Sequence, residues 1–524
     1  MNPNRRNAMN QTTRRGFLAQ STLGSLSFSL AGLSPISAKD LVVQPPGLQL
    51  SPDTRPLVKM LESTPWEEAL PKVITKLKSG LTYRQLLAAL LSASVRVDGS
   101  PHIVYSIHAA HRIATALPKE QALLPLLWAV CRVSDGRRRE GLRFDPPDLS
   151  TLSPETAKKE FAMAMRSYDP ERATAALINL SRNIGSKAAF NHVWKYAGQN
   201  DGFIGHIAIG ISNGWRVMET TGWQCPEPIL QFVAHQLTHG DSRHATHKAN
   251  LSASKKLEEG FAEGWQNPDG DHGATLEILS MMRSQKEHDF CVELFRMLQS
   301  GQVRAGSVWD AVHLASAESM FRWKDTWGLN QRALHHTTSS NAMRFAYESC
   351  ADPRDKLYLL LQGATWATSF WRRLYSHRDM FITSIPEVEI PKSPSDAMAG
   401  IFASAPRRRW DKGRQGFEPR PEGSRHKLDQ LSHQVFALAQ DETAQAEYLE
   451  TLPLMATLKA TDIHDWKFTA ATLENVRNVQ SRWRPHLLAA HAHYMHGTKS
   501  DDHKYVSKAR ELVSGSGVKV TLPG

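Results

Sequence analysis

Cysteine is scarce in this chain, four in 524 residues, and no two stand as Cys-x-x-Cys. Structural zinc ribbons and thioredoxin-type chemistry are therefore unsupported. Cys131, Cys225, Cys291 and Cys350 are far apart, which suits buried free thiols better than a disulfide framework. Long apolar runs are missing too. None approaches the roughly 18 residues of a membrane span, and Leu86 to Val95 has only the length of a core helix. Gly-x-Gly-x-x-Gly, Walker and Gly-x-Ser-x-Gly patterns are all absent, so nucleotide-dependent and serine-hydrolase readings have no positive support. Strand signals are confined to Val518 to Leu522.

What is present is a folded, helix-forming composition. Apolar residues make up 41% and charged residues 22%, which excludes wholesale disorder. The net charge of +11 is local: Arg5, Arg6, Arg14 and Arg15 precede Lys39 with no acid among them. Arg407, Arg408, Arg409, Lys412, Arg414, Arg420, Arg425 and Lys427 form a second basic stretch. The remaining body is nearly neutral, so a nucleic-acid partner is not expected.

The N-terminus reads Thr13-Arg14-Arg15-Gly16-Phe17-Leu18, followed by a mildly apolar stretch to Leu33. This resembles a Tat signal peptide, which implies a signal over 1–38 and export to the periplasm or cell envelope by the Tat machinery. Tat passengers cross folded, often with a cofactor already inserted; the residues name no particular cofactor. Residues 39–54 read as a Pro-rich linker. Helical periods then dominate: Leu86, Leu87, Leu90 and Leu91 share one face, and Asp169-Pro170 and Asp352-Pro353 pair an N-cap with proline at the first helical position. The expectation is an all-α, multi-helix array or bundle. Its main domain spans 55–385, a Pro/Gly/Arg-rich loop or linker spans 386–423, and a smaller helical part spans 424–524.

Histidine is the informative residue, with 23 against 10 tyrosines and 18 phenylalanines. His235 and His239 are i, i+4, and His244 and His247 follow, but no glutamate completes a metalloprotease motif. Metal binding competes here with a polar helix end, and no metal ligands are assigned. His102 and His111 lie nine residues apart, half a turn out of phase and about 13 Å along an ideal helix. His206 sits between Gly205 and Gly210, whose lack of Cβ permits close approach of a neighbour. Asp310 and Glu318 are eight residues apart on nearly one face, and such acids need partners such as Arg322. His335 opens a polar run to Asn341 that reads as preceding a helix, with Ser or Thr capping.

At these residues a family resemblance arises. His102 to His111, Gly205-His206-Ile-Ala-Ile, Trp309-Asp310 with Glu318, and His335 with Thr338 and Asn341 resemble, in that order, an uncharacterised group of bacterial Tat-exported helical proteins. Asp465-Trp466-Lys467 and Trp483-Arg484-Pro485 continue the likeness. The order is also similar to the questin oxidase-like family, although Gly210 or another apolar residue stands where that family has a second central histidine. That resemblance implies an oxidoreductase acting on an aromatic or other apolar small molecule.

On this reading His102, His111, His206, Asp310, Glu318 and His335 are the candidate catalytic residues. His206 or His335 would serve as general base, and the acids would orient the imidazoles. Trp215, Trp223 and Trp309 would form an apolar wall. At least four of the six are expected to face one cavity, because a shared polar cleft satisfies buried ionisable groups together. The alternatives are a non-catalytic helical array binding an envelope partner, and a metal-dependent hydrolase centred on His235 and His239.

Overall fold

In the computed structural model the described residues are 54–97, 102–118, 121–136, 150–199, 202–220, 223, 227–239, 244–323, 331–373, 379–389, 393–407, 410–411, 416–417, 423–460 and 463–514. The signal segment, almost all of the 39–54 linker, the Val518 to Leu522 strand candidate and Cys225 lie outside them.

The protein is all-α, a multi-helix assembly. Helix starts follow local chemistry. Ser153, Asp169, Asp352 and Ser393 each cap a helix through the side-chain oxygen, with proline next in the chain. The proline costs nothing there, since its missing N–H would have had no intrahelical partner. No helix among the described residues is long and apolar enough to cross a membrane. Cys131, Cys291 and Cys350 are buried free thiols.

At the centre lies the helix Ala305–Arg322, all of whose residues are buried. Gln331–Ser349, Pro353–Arg372 and His272–Ser284 pack around it, and Arg484–Ala492 closes another side. One continuous set of buried apolar side chains runs from Leu57 to Val513. The core thus does not divide at residues 386–423. Ile463–Asn478 packs against both His102–Ala116 and Gln331–Ser349, and Lys504–Ser514 lies on Leu124–Gly136. Trp128 stacks on Trp466 at 4.4 Å between centroids, and the Tyr505 hydroxyl donates to Asp135 at 2.8 Å.

Two local expectations are corrected. The 386–423 stretch is not loop throughout: Pro394–Ser404 is a helix that buries Met398, Ile401 and Phe402, and Trp410–Asp411 pairs antiparallel with Gly416–Phe417. Arg408, Arg409, Lys412, Arg414 and Arg420 lie outside the described residues. The polar run His335 to Asn341 does not precede a helix but lies inside Gln331–Ser349. Two of its hydroxyls bond their own helix: Thr338 Oγ1 donates to the His335 carbonyl at 3.4 Å and Ser339 Oγ to that of His336 at 3.2 Å. They therefore need not cap anything.

The helix Gly202–Thr220 meets Gln331–Ser349 at an unusually close crossing. Ile204 and Gly205 take φ of 59° and 85°, and a Cβ on Gly205 would lie 2.4 Å from Ser339 Cβ. A β-branched residue in this region is strained, and only surrounding packing holds it there. Gly205→Ala should destabilise the fold by about 2–4 kcal/mol in urea unfolding, through both φ and overlap. Adding Ser339→Gly should recover part of that loss; no recovery would assign the whole cost to the backbone angle.

Candidate functional site

Four helices that are distant in sequence bring imidazoles to one place. His102 is the first residue of His102–Ala116, His206 follows the strained turn of Gly202–Thr220, and His335 lies in Gln331–Ser349. His464 and Lys467 share a face of Ile463–Asn478, one turn apart. Ring centroids are 4.7 Å apart for His102 and His206, 4.6 Å for His206 and His335, and 5.3 Å for His335 and His464. The His102 and His464 rings close the group at 5.2 Å.

Hydrogen bonding fixes its chemistry. His206 Nε2 and His335 Nε2 are 3.0 Å apart. Lys467 Nζ is 3.0 Å from His335 Nε2 and 3.5 Å from His102 Nδ1. An ammonium can only donate, so His335 Nε2 presents its single lone pair to Lys467 and carries its proton on Nδ1, while His206 Nε2 stands in contact with that same nitrogen. Burial first, and the Lys467 charge next, hold His102 well below the usual imidazole range. Tyr105 lies beneath, with Lys467 Nζ 5.8 Å from its ring centroid. Its hydroxyl donates to the His206 carbonyl at 2.9 Å. Gly210 leaves the space that this phenol fills, because a Cβ there would sit 2.7 Å from Tyr105 Oη.

The expected convergence of at least four candidates is corrected to three: His102, His206 and His335. His111 is buried against Tyr83, whose hydroxyl is 3.0 Å from Nδ1, and burial pushes its pKa down to about 3. Its helix carries it away from His102, as the spacing implies. Glu318 is fully buried and fully engaged: it pairs with Arg283 through both oxygens and accepts from Trp371 Nε1 at 2.6 Å and the Ile382 N–H at 2.9 Å. Asp310 sits near Arg344, Arg482 and Gln480, and burial pushes its carboxyl up to about 6. Neither acid bonds to a cluster histidine. Arg322 spends its guanidinium on the Trp371 face, 3.6 Å from the ring centroid.

The tryptophan wall is likewise corrected. Trp215 and Trp223 pack with Phe190 and Trp194 in a separate aromatic knot, and Trp309 packs on Tyr347 and Gly363. The groups that residue-level reasoning missed are His464, Lys467 and Tyr105. A signal existed, since Asp465-Trp466-Lys467 belongs to the resemblance and His464 lies one turn before Lys467.

No family model, curated protein or solved structure matches the chain. Its chemistry must therefore be argued from geometry.

Among the described residues no three His, Cys, Asp or Glu side chains are arranged to hold a metal ion. In the four-histidine cluster Lys467 Nζ already stands against His335 Nε2, where a second cation would be repelled. At the His235 and His239 end, His239 is exposed, while His244 bonds Thr246 at 2.8 Å and His247 bonds Tyr358 at 2.7 Å. What the cluster offers instead is proton transfer between imidazoles beside a fixed positive charge.

Buried imidazoles make the fold acid-sensitive. Burial is the first cause of lowered pKa at His102, His108, His111, His313, His336, His486 and His491, with His486 and His491 brought to about 4. Each resists protonation in the fold but protonates near 6.5 when unfolded, so its contribution is present above 6.5 and is lost as pH falls towards the folded value. Each removes about 1.4 kcal/mol per pH unit over that window. The melting temperature should fall steeply between pH 6.5 and 5 in calorimetry; a flat profile there would contradict neutral buried histidines.

Proposed function

We propose that this chain is an exported, helical oxidoreductase-like enzyme acting on an aromatic or other apolar small molecule. Its acid–base chemistry is carried by His102, His206 and His335 together with Lys467. One observation carries the reading: the three histidines singled out by motif order meet, with a buried lysine, in one partly buried group. Stability alone gives no reason to gather them, because a buried ammonium beside neutral rings is costly to desolvate. A catalytic site does give one. The His206–His335 contact lets one imidazole take a substrate proton while the other adjusts its own hydrogen bond. Lys467 is placed to hold the oxyanion that proton removal creates. The redox class follows from the resemblance to the questin oxidase-like family, whereas proton transfer and charge stabilisation follow from the residues themselves.

Purified protein should turn over members of a panel of polycyclic phenols in the presence of dioxygen, followed by absorbance and oxygen uptake. His206→Ala and His335→Ala should each lower kcat/KM by about 10²- to 10⁴-fold with the helical circular-dichroism signal retained. Full turnover by His206→Ala, or no turnover by the wild-type protein, would remove the enzyme reading. Export has its own test: Arg14→Lys with Arg15→Lys should leave the protein in the cytoplasm. Normal export of that double variant would remove the Tat assignment.

A further inference from the structure

Beside the histidine cluster, and sharing Lys467 and Tyr105 with it, lies a small cleft of about 30 Å³. It runs between the helices His102–Ala116, Gly202–Thr220, Gln331–Ser349 and Ile463–Asn478. Its charged lining is lopsided: Arg112, Arg216 and Lys467 face Glu474 alone, a formal excess of two positive charges. Arg216 is committed to the wall. Its Nη2 donates to Glu474 Oε1 at 2.8 Å and Oε2 at 2.9 Å, and both Nη atoms reach Asn341 Oδ1 at 3.3 Å. Asn341 is itself held by donating to Asn475 Oδ1 at 2.8 Å. Arg112 is different. Its guanidinium is only half-buried and makes no hydrogen bond or ion pair among the described residues.

His108 also lines the cleft, and burial together with Arg216 and Arg112 keeps it neutral, so it offers no counter-charge. A partly enclosed space with excess positive charge attracts an anion, because water there screens the cations less than in bulk. The volume sets the anion's size. About 30 Å³ holds roughly two water-sized groups, which matches the two oxygens of one carboxylate. A guanidinium is also the natural bidentate partner of that group.

We propose that this cleft binds the carboxylate of a small organic acid through Arg112 and Lys467. Resting on the enzyme reading above, the acid so held is the substrate of the adjacent histidines.

The test uses benzoate as probe against the full-length protein in titration calorimetry, with benzyl alcohol and inorganic phosphate as comparators. Benzoate should bind saturably and benzyl alcohol should not. Arg112→Gln and Lys467→Gln should each weaken benzoate about tenfold or more, with folding checked by thermal unfolding. Lys72→Gln, at an exposed lysine that does not line the cleft, should bind benzoate within about twofold of wild type. Absence of saturable benzoate binding, undiminished binding by Arg112→Gln and Lys467→Gln, or stronger binding of phosphate than of benzoate would each overturn the carboxylate site. Benzoate should also inhibit turnover competitively. Benzoate binding without any turnover would sink the enzyme reading and the substrate assignment while leaving the carboxylate site standing. Turnover that benzoate neither binds to nor inhibits would sink the carboxylate site alone.

Discussion

The ammonium of Lys467, 3.0 Å from one imidazole and 3.5 Å from another, governs what those two rings can be. A positive charge in a space from which water is largely excluded penalises a second one, so His102 is held well below the usual imidazole range and stays a neutral base. Neutral imidazoles have distinct donor and acceptor nitrogens, and the lysine chooses which is which. His335 must present its lone pair to it, and His206 Nε2 lies 3.0 Å from that same nitrogen. One side-chain cation thus sets the proton position on His335 and keeps His102 neutral.

The backbone accommodates this group by giving up side chains where the helices approach most closely. At position 205 any Cβ would strike Ser339, and at 210 any Cβ would strike the phenol that lies under the cluster. The two glycines are therefore different in kind. Gly205 is needed for both a left-handed backbone and a tight crossing, whereas Gly210 is needed only for the room given to Tyr105. The strained Ile204 stands one residue before Gly205 and two before His206. Strain of this sort survives where surrounding contacts over-determine the chain, and here those contacts are the packed helices bearing the histidines.

Much of the fold was legible because helix signals are local. Capping aspartates and serines, prolines one residue later and leucines at helical spacing all act within a few residues of themselves. His102, His206 and His335 could be chosen by motif order, but their meeting could not be read from spacing. Asp310 and Glu318 show why. Sharing a helical face does not give them the same neighbours, because eight residues climb about 12 Å. On a helix buried all round, every turn meets a different partner: Glu318 found Arg283, and Asp310 lies under Gly270. Lys467 escaped notice for the opposite reason. A lysine on a helix usually reaches solvent, and only the packing of two helices far apart in the chain buries this one.

The contact between Lys467 and His102 spans 365 residues of chain. Proteins are synthesised from the N-terminus, and contacts of such long range close last. The first three histidines are made well before the helix that carries His464 and Lys467. Until Ile463–Asn478 has left the ribosome and docked, their rings face one another without the charge that orders them. The assembled centre is therefore a mark of a finished chain. A translation product that stops short of residue 463 can be largely helical and still lack that charge.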